Sequence, residues 1–196
     1  MPDSRDEEIR SALHRKKLKR MHACPNTLVY DELGLAHARV RIDVAVINGS
    51  VHGFEIKSAL DTLDRLPKQL TIYGQCLEKL TVVCDVKHTR DVRKLAPRWC
   101  GIVEASKGTR GGIDFCTIRK AQRNPDVRAE KLAHLLWRHE VVMLLEQLDA
   151  SPKILRQPRA QLYRHLAKLL TVEEITCSIR EFMANRQGWR GLPAHA

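Results

Sequence analysis

Three charged residues stand inside two apolar segments: Asp43 in "RIDVAVIN", and Glu55 and Lys57 in "VHGFEIKS". Side chains alternate along a strand, so residues 55 and 57 share a face. Asp43 joins them only if the connection between the segments is odd in length or bulged. A three-residue loop, Asn48-Gly49-Ser50, pairs Ile47 with Val51 and sets position 43 opposite 55; a two-residue Asn-Gly turn puts them on opposite faces. If the three converge, two carboxylates offer oxygen ligands to a hard divalent cation such as Mg²⁺, which keeps several waters and takes phosphate oxygens at its remaining positions. Such a cation lowers the pKa of a bound water and stabilises charge developing at phosphorus, while Lys57 orients that water or holds the phosphate. The reaction class this implies is phosphodiester hydrolysis. A structural ion pair at the edge of a sheet explains the same residues without chemistry.

The elements that must position these groups are legible around them. Residues 6–20 form an amphipathic helix with Ile9, Leu13 and Leu18 inward and a basic outer face. Strands are expected over 27–33, 38–48 and 51–58, a meander that opens a sheet. Pro67 suits the first turn of a helix running to Leu77, ahead of a buried strand over 80–85. A second crossover helix, "TRDVRKLAP", leads to strands over 99–106 and 113–121, the last at an edge. After Asn124-Pro125 the strand signals stop. A long helix is expected over 129–148, then two more over 159–170 and 172–185, the second opened by a capping box from Thr171 to Glu174. The fold class is α/β: a mixed central sheet flanked by helices over residues 1–122, with an all-helical C-terminal extension over 126–196.

Asp43, eleven intervening residues and Glu55-x-Lys57 resemble the PD-(D/E)XK nuclease superfamily. Gln69-x-x-x-Tyr73 is similar to the Q-x-x-x-Y motif of its RecB-type branch, and residues at i and i+4 share a helix face. The proline that the superfamily often carries before its aspartate is replaced by Ile42. The segment from Asp31 to Tyr73 looks like small stand-alone bacterial and phage members. The order Glu32, Arg41-x-Asp43, Glu55-x-Lys57 also resembles a small bacterial family associated with DNA repair. The resemblance spans roughly residues 5–120. It implies a restriction-endonuclease-like core and Mg²⁺, with Mn²⁺ as substitute, held by Asp43, Glu55 and the main-chain carbonyl of Ile56. It further implies a nucleic-acid substrate, DNA before RNA, in repair, recombination or phage defence. The catalytic set would be Asp43, Glu55, Lys57, Gln69 and Tyr73, with one more acid, Glu32 or alternatively Glu8. Arg41, Ser58, Arg65 and Lys68 would contact the nucleic acid. A catalytically inactive DNA-binding or regulatory protein that keeps the fold is the competing reading.

Composition agrees with a polyanionic partner: 34 Lys+Arg against 23 Asp+Glu give a formal charge of +11 over 196 residues. The six cysteines are dispersed without zinc-ligand spacing and read as small buried side chains in a reducing compartment. Neither a secretory leader nor a membrane span is legible, so the expected location is the cytoplasm, with no membrane partner. The C-terminal segment is rich in Arg156, Arg159, Arg164, Lys168, Arg180, Arg186 and Arg190. Arg159, Arg164 and Lys168 would grip phosphates without reading sequence, or the helices would form a homodimer. Tyr73, Tyr163 and Trp189 are the aromatic residues placed to stack on a base. His52 is expected to face away from Glu55, His88 to lie in a loop, and Ser58 to bond backbone. There is no G-x-S-x-G elbow and no Walker loop.

Overall fold

The computed structural model describes residues 4–109 and 111–186, so Trp189 and Arg190 lie outside the described residues. The chain starts with α1 (Asp6–Ala12), a π turn (Leu13–Lys17) and α2 (Lys19–His22). The expected continuous helix is thus interrupted, although Ile9, Leu13 and Leu18 are all buried as read. Contacts remote in sequence hold the interrupting turn. His14 bonds Asp31 at 2.9 Å, Lys16 Nζ donates to the Ile113 carbonyl at 2.5 Å, and Lys17 Nζ donates to Thr117 at 2.9 Å.

β1 (Leu28–Leu35), β2 (Val40–Ile47) and β3 (Val51–Lys57) form the antiparallel meander. Two parallel steps follow, through α3 (Leu66–Cys76) to β4 (Lys79–Asp85) and through α4 (Thr89–Leu95) to β5 (Gly101–Lys107). β6 (Ile113–Arg119) returns antiparallel at the far edge. The result is a mixed α/β protein built on a six-stranded sheet whose spatial order equals its chain order. One face carries α1 against Val44, Val46, Phe54 and Ile56. The other carries α3 and α4, and the C-terminal helices belong to that same apolar cluster: Leu132, Leu162, Ile179 and Met183 pack with Tyr30, Leu66 and Tyr73.

The helix expected over 129–148 is broken. α5 (Ala129–Leu132) and a short 3₁₀ turn end at Leu136, which is extended, and α6 (Arg138–Gln147) starts afresh. The break is set by Glu140, whose carboxylate accepts from the Trp137 N–H at 2.6 Å and receives both Nε and Nη2 of Arg186, at 2.8 and 2.6 Å. Arg186 is therefore a buried structural residue and not one of the phosphate-gripping arginines. α7 (Pro152–Leu155), α8 (Arg159–Leu169) and α9 (Val172–Asn185) complete the chain, α9 opening on the expected Thr171–Glu174 box. Of the six free cysteines only Cys76, Cys84 and Cys100 are buried; Cys24, Cys116 and Cys177 are exposed, because the segments that carry them lie at the surface. Among the described residues no helix is long and apolar enough to cross a membrane.

His52 lies on the β3 face opposite Glu55, bonded to Thr81 at 2.9 Å and stacked on Phe54. Burial pulls its pKa down to about 4. The unfolded chain takes up this proton near pH 6.5 and the folded chain only near 4. The neutral imidazole's contribution is thus complete above 6.5 and lost as pH falls from 6.5 to 4, by up to about 1.4 kcal/mol per pH unit. His52→Gln is expected to lose stability over that window less steeply, by about one proton, in urea unfolding across a pH series.

Candidate functional site

The β2–β3 connection is the three-residue loop: Ile47 faces Val51, and the ladder continues to Val44 facing Phe54. The same register carries Asp43 to Glu55. There the main-chain pairing of β2 with β3 stops, while β2 stays paired with β1 as far as Leu35 and Val40. β2 therefore peels away from β3 at Asp43, and the aspartate closes the fork itself, its Oδ2 accepting from the Ile56 N–H at 2.6 Å. Gly53 makes room behind the fork, since a Cβ there would lie 2.9 Å from Ile42 Cγ1 and 2.6 Å from Leu77 Cδ1.

Glu32 lies opposite Asp43 in β1, flanked by the pairs Asp31–Val44 and Leu33–Ile42. It is not at a strand end, as the sequence suggests, but inside β1 in a left-handed conformation with φ 54°. That costs a non-glycine residue about 1–2 kcal/mol. Side-chain alternation breaks at this facing pair on both strands: Tyr30 and Leu33 share one core, as do Ile42 and Ala45. Three acids, Glu32, Asp43 and Glu55, thus lie in one row across three adjacent strands.

Glu55 is 2% exposed and fully partnered. Lys57 Nζ donates to its Oε1 at 2.8 Å, Gln69 Nε2 to the same oxygen at 2.6 Å, and Tyr73 OH to Oε2 at 2.7 Å. Pro67 in the first turn of α3 fixes the start of the helix, and the i, i+4 spacing brings Gln69 and Tyr73 to the β3 face. Burial and the neighbouring Glu55 charge raise the Tyr73 pKa, which keeps its hydroxyl a donor. Burial, then the Glu55 charge, push the Asp43 carboxyl up to about 7. The fork is an electrostatically frustrated place, where two carboxylates share a partly dry cleft and one of them resists ionisation.

The cleft measures about 470 Å³ and is lined by Asp43, Glu55, Ile56 and Lys57 with Arg39, Arg41, Arg65 and Lys68 on its rim. Arg41, Arg65 and Lys68, which the sequence reading assigns to nucleic acid, line this cleft. Ser58 is turned inward, its hydroxyl donating to Asp61 at 2.6 Å. Glu8 serves α1 instead, accepting from the Arg5 N–H at 3.0 Å and pairing with Lys107 at 3.1 Å. Arg159, Arg164 and Lys168 lie on α8 and do not line the cleft. His88 bonds the Ser58 carbonyl at 3.1 Å.

One participant escapes the sequence reading. Arg10 reaches from α1 to Glu32 at 2.7 Å, Asp6 at 3.1 Å and Asp43 at 3.5 Å, and so neutralises the open side of the acidic row. The Asp6 and Arg10 spacing of four residues signals their mutual pair, but nothing local signals Asp43.

Among the described residues no group of three or more His, Cys, Asp and Glu side chains gathers as metal ligands. A cation at the fork would draw on Asp43 Oδ1 and the Glu55 carboxylate in place of donors they now face, on the Ile56 carbonyl, and on Gln69 Oε1, a buried oxygen without a hydrogen-bond partner.

A family model described as Bacteriophage P4 protein cII matches residues 2–190. Protein cII of Enterobacteria phage P4 is 31% identical over 181 residues, which take in 91% of this chain and 65% of that relative's length. No solved structure matches the chain.

Proposed function

The chain belongs to the Bacteriophage P4 protein cII family, whose name assigns no chemistry, and from the geometry of the fork we propose that it is a Mg²⁺-dependent nuclease with a restriction-endonuclease-like core, acting on DNA. The observation that carries this reading is the convergence at the β2–β3 fork of Asp43, Glu55 and Lys57, with Gln69 and Tyr73 both bonded to Glu55. When bound, Mg²⁺ would neutralise the carboxylates, polarise a phosphoryl oxygen and acidify a water. Gln69 and Tyr73 are positioning residues that fix the Glu55 carboxylate. Lys57, paired with Glu55 at 2.8 Å, would hold the attacking water or a phosphate oxygen. Arg39, Arg41, Arg65 and Lys68 would track the backbone on either side. Without a cation the carboxylates would repel that backbone, so a pure binding module gains nothing from them.

A second reading, an inactive nucleic-acid-binding or regulatory protein that keeps the fold, is favoured by Arg10, whose guanidinium already occupies the open side of the acidic row. One assay separates the two. Single-stranded, duplex and branched DNA and RNA are incubated with the purified protein in Mg²⁺, Mn²⁺ or EDTA. Metal-dependent cleavage that is absent in EDTA and in Lys57→Ala supports the nuclease. Substrates bound yet uncut in both metals decide for the second reading.

A further inference from the structure

A second cavity, about 490 Å³, lies on the other side of the β1–β2 turn. His37 and Ala38 of that turn line it, whereas Arg39 to Arg41 line the cleft at the fork. Its remaining walls come from the end of β1, the segment from His134 to Arg138, α8 and Arg186. Among the described residues its lining includes no carboxylate, but three arginines. Arg186 is compensated by Glu140 from behind. Arg138 and Arg159, both exposed, have no carboxylate partner among the described residues, Arg159 resting instead against His37.

The walls are aromatic as well as cationic. His37 stacks on His134 with centroids 3.9 Å apart, Tyr163 meets His134 edge-on at 5.0 Å, and Trp137, 41% exposed, lies 4.2 Å from the Arg186 guanidinium carbon. His134 Nδ1 is buried there without a hydrogen-bond partner. The turn that presents His37 is strained: Ala36, His37 and Ala38 all hold positive φ, 50°, 60° and 62°. Three successive non-glycine residues in that region cost about 1–2 kcal/mol each, a conformation that persists only where the surroundings impose it. A cavity of this size suits a small ligand, and guanidinia without a carboxylate partner beside aromatic rings suit one that is anionic at one end and planar at the other.

We propose that this pocket binds a nucleoside 5′-phosphate, with Arg138 and Arg159 taking the phosphate and Trp137 with the His37–His134 stack taking the base. The ligand is a free nucleotide or the 5′ end of a strand, and the proposal stands whether or not the fork cuts nucleic acid. The test is calorimetric titration of the full chain in EDTA with AMP, TMP, the corresponding nucleosides and inorganic phosphate, and with one oligonucleotide bearing either a 5′-phosphate or a 5′-hydroxyl. At least one monophosphate should bind about tenfold or more tighter than its nucleoside or phosphate alone. Arg159→Ala and Trp137→Ala should each weaken it by about tenfold, the loss of one charge-assisted or stacking contact, with a cooperative unfolding transition retained well above the assay temperature. Tighter binding of the 5′-phosphorylated strand, weakened by the same variants, identifies a strand end; binding of the mononucleotide alone identifies the free nucleotide. The proposal is overturned if neither monophosphates nor the 5′-phosphorylated strand exceed their unphosphorylated counterparts, or if both variants keep wild-type affinity.

Discussion

Asp43→Asn is expected to abolish metal-dependent cleavage, lowering its rate by about a thousandfold or more, and at the same time to stabilise the metal-free protein. The loss follows from removing a charged ligand of the ion that would stabilise the transition state. The gain follows from the folded environment, which pushes the Asp43 carboxyl up to about 7 by burial and by the Glu55 charge. Between its ordinary value near 4 and that raised value, the folded chain holds a proton that the unfolded chain has released. Stability therefore falls as pH rises through this window, and the penalty is complete above pH 7. Asparagine keeps an acceptor for the Ile56 N–H and carries no charge. Its advantage should be small at pH 4, grow towards pH 7 and then level off. At pH 8 in EDTA the unfolding midpoint should rise by roughly 3 °C or more, at about 2–4 °C per kcal/mol for a chain of this size. A structural ion pair predicts the opposite sign, so a lowered midpoint at pH 8 with unchanged cleavage would sink the site.

Arg186→Met carries the largest expected loss of stability. Its guanidinium makes a two-pronged bond to Glu140 and a third bond to the Leu135 carbonyl at 2.9 Å, and both side chains are 3% exposed. Removing one partner strands a buried carboxylate, which costs about 3–5 kcal/mol. The midpoint should fall by roughly 6–20 °C. Glu140→Leu combined with Arg186→Met should recover part of that loss, because the stranded charge is gone; the Trp137 N–H would still lack its cap. Chemical unfolding of the three variants checks this, and a loss within about 1 kcal/mol for the single variant contradicts a buried pair.

The elements around the fork were legible because they are local. Alternation marked β2 and β3, Pro67 the start of α3, and Thr171 with Glu174 the start of α9. The odd-length Asn48-Gly49-Ser50 connection was the one condition that strand parity left open, and the register satisfies it. Other readings failed where a distant partner outweighs the local pattern. The apolar period over 129–148 suits one helix, yet it breaks at Leu136 so that Glu140 can meet Arg186, 46 residues away in sequence. Cys24, Cys116 and Cys177 look like core residues by type and are exposed by position.

By itself the sequence determined the mixed sheet and the order of strands and crossover helices, because periodicity and spacing act over a few residues; Asp43, Glu55 and Lys57 stood out as charges inside apolar strands, and Gln69 and Tyr73 through the family resemblance. Only the tertiary structure decided that Arg10 faces Glu32 and Asp43, that Glu32 adopts a left-handed backbone, and that the β1–β2 turn separates an acidic fork from an aromatic, cationic pocket. Those features are pairings through space between segments tens of residues apart, and a one-dimensional pattern carries no distance between them.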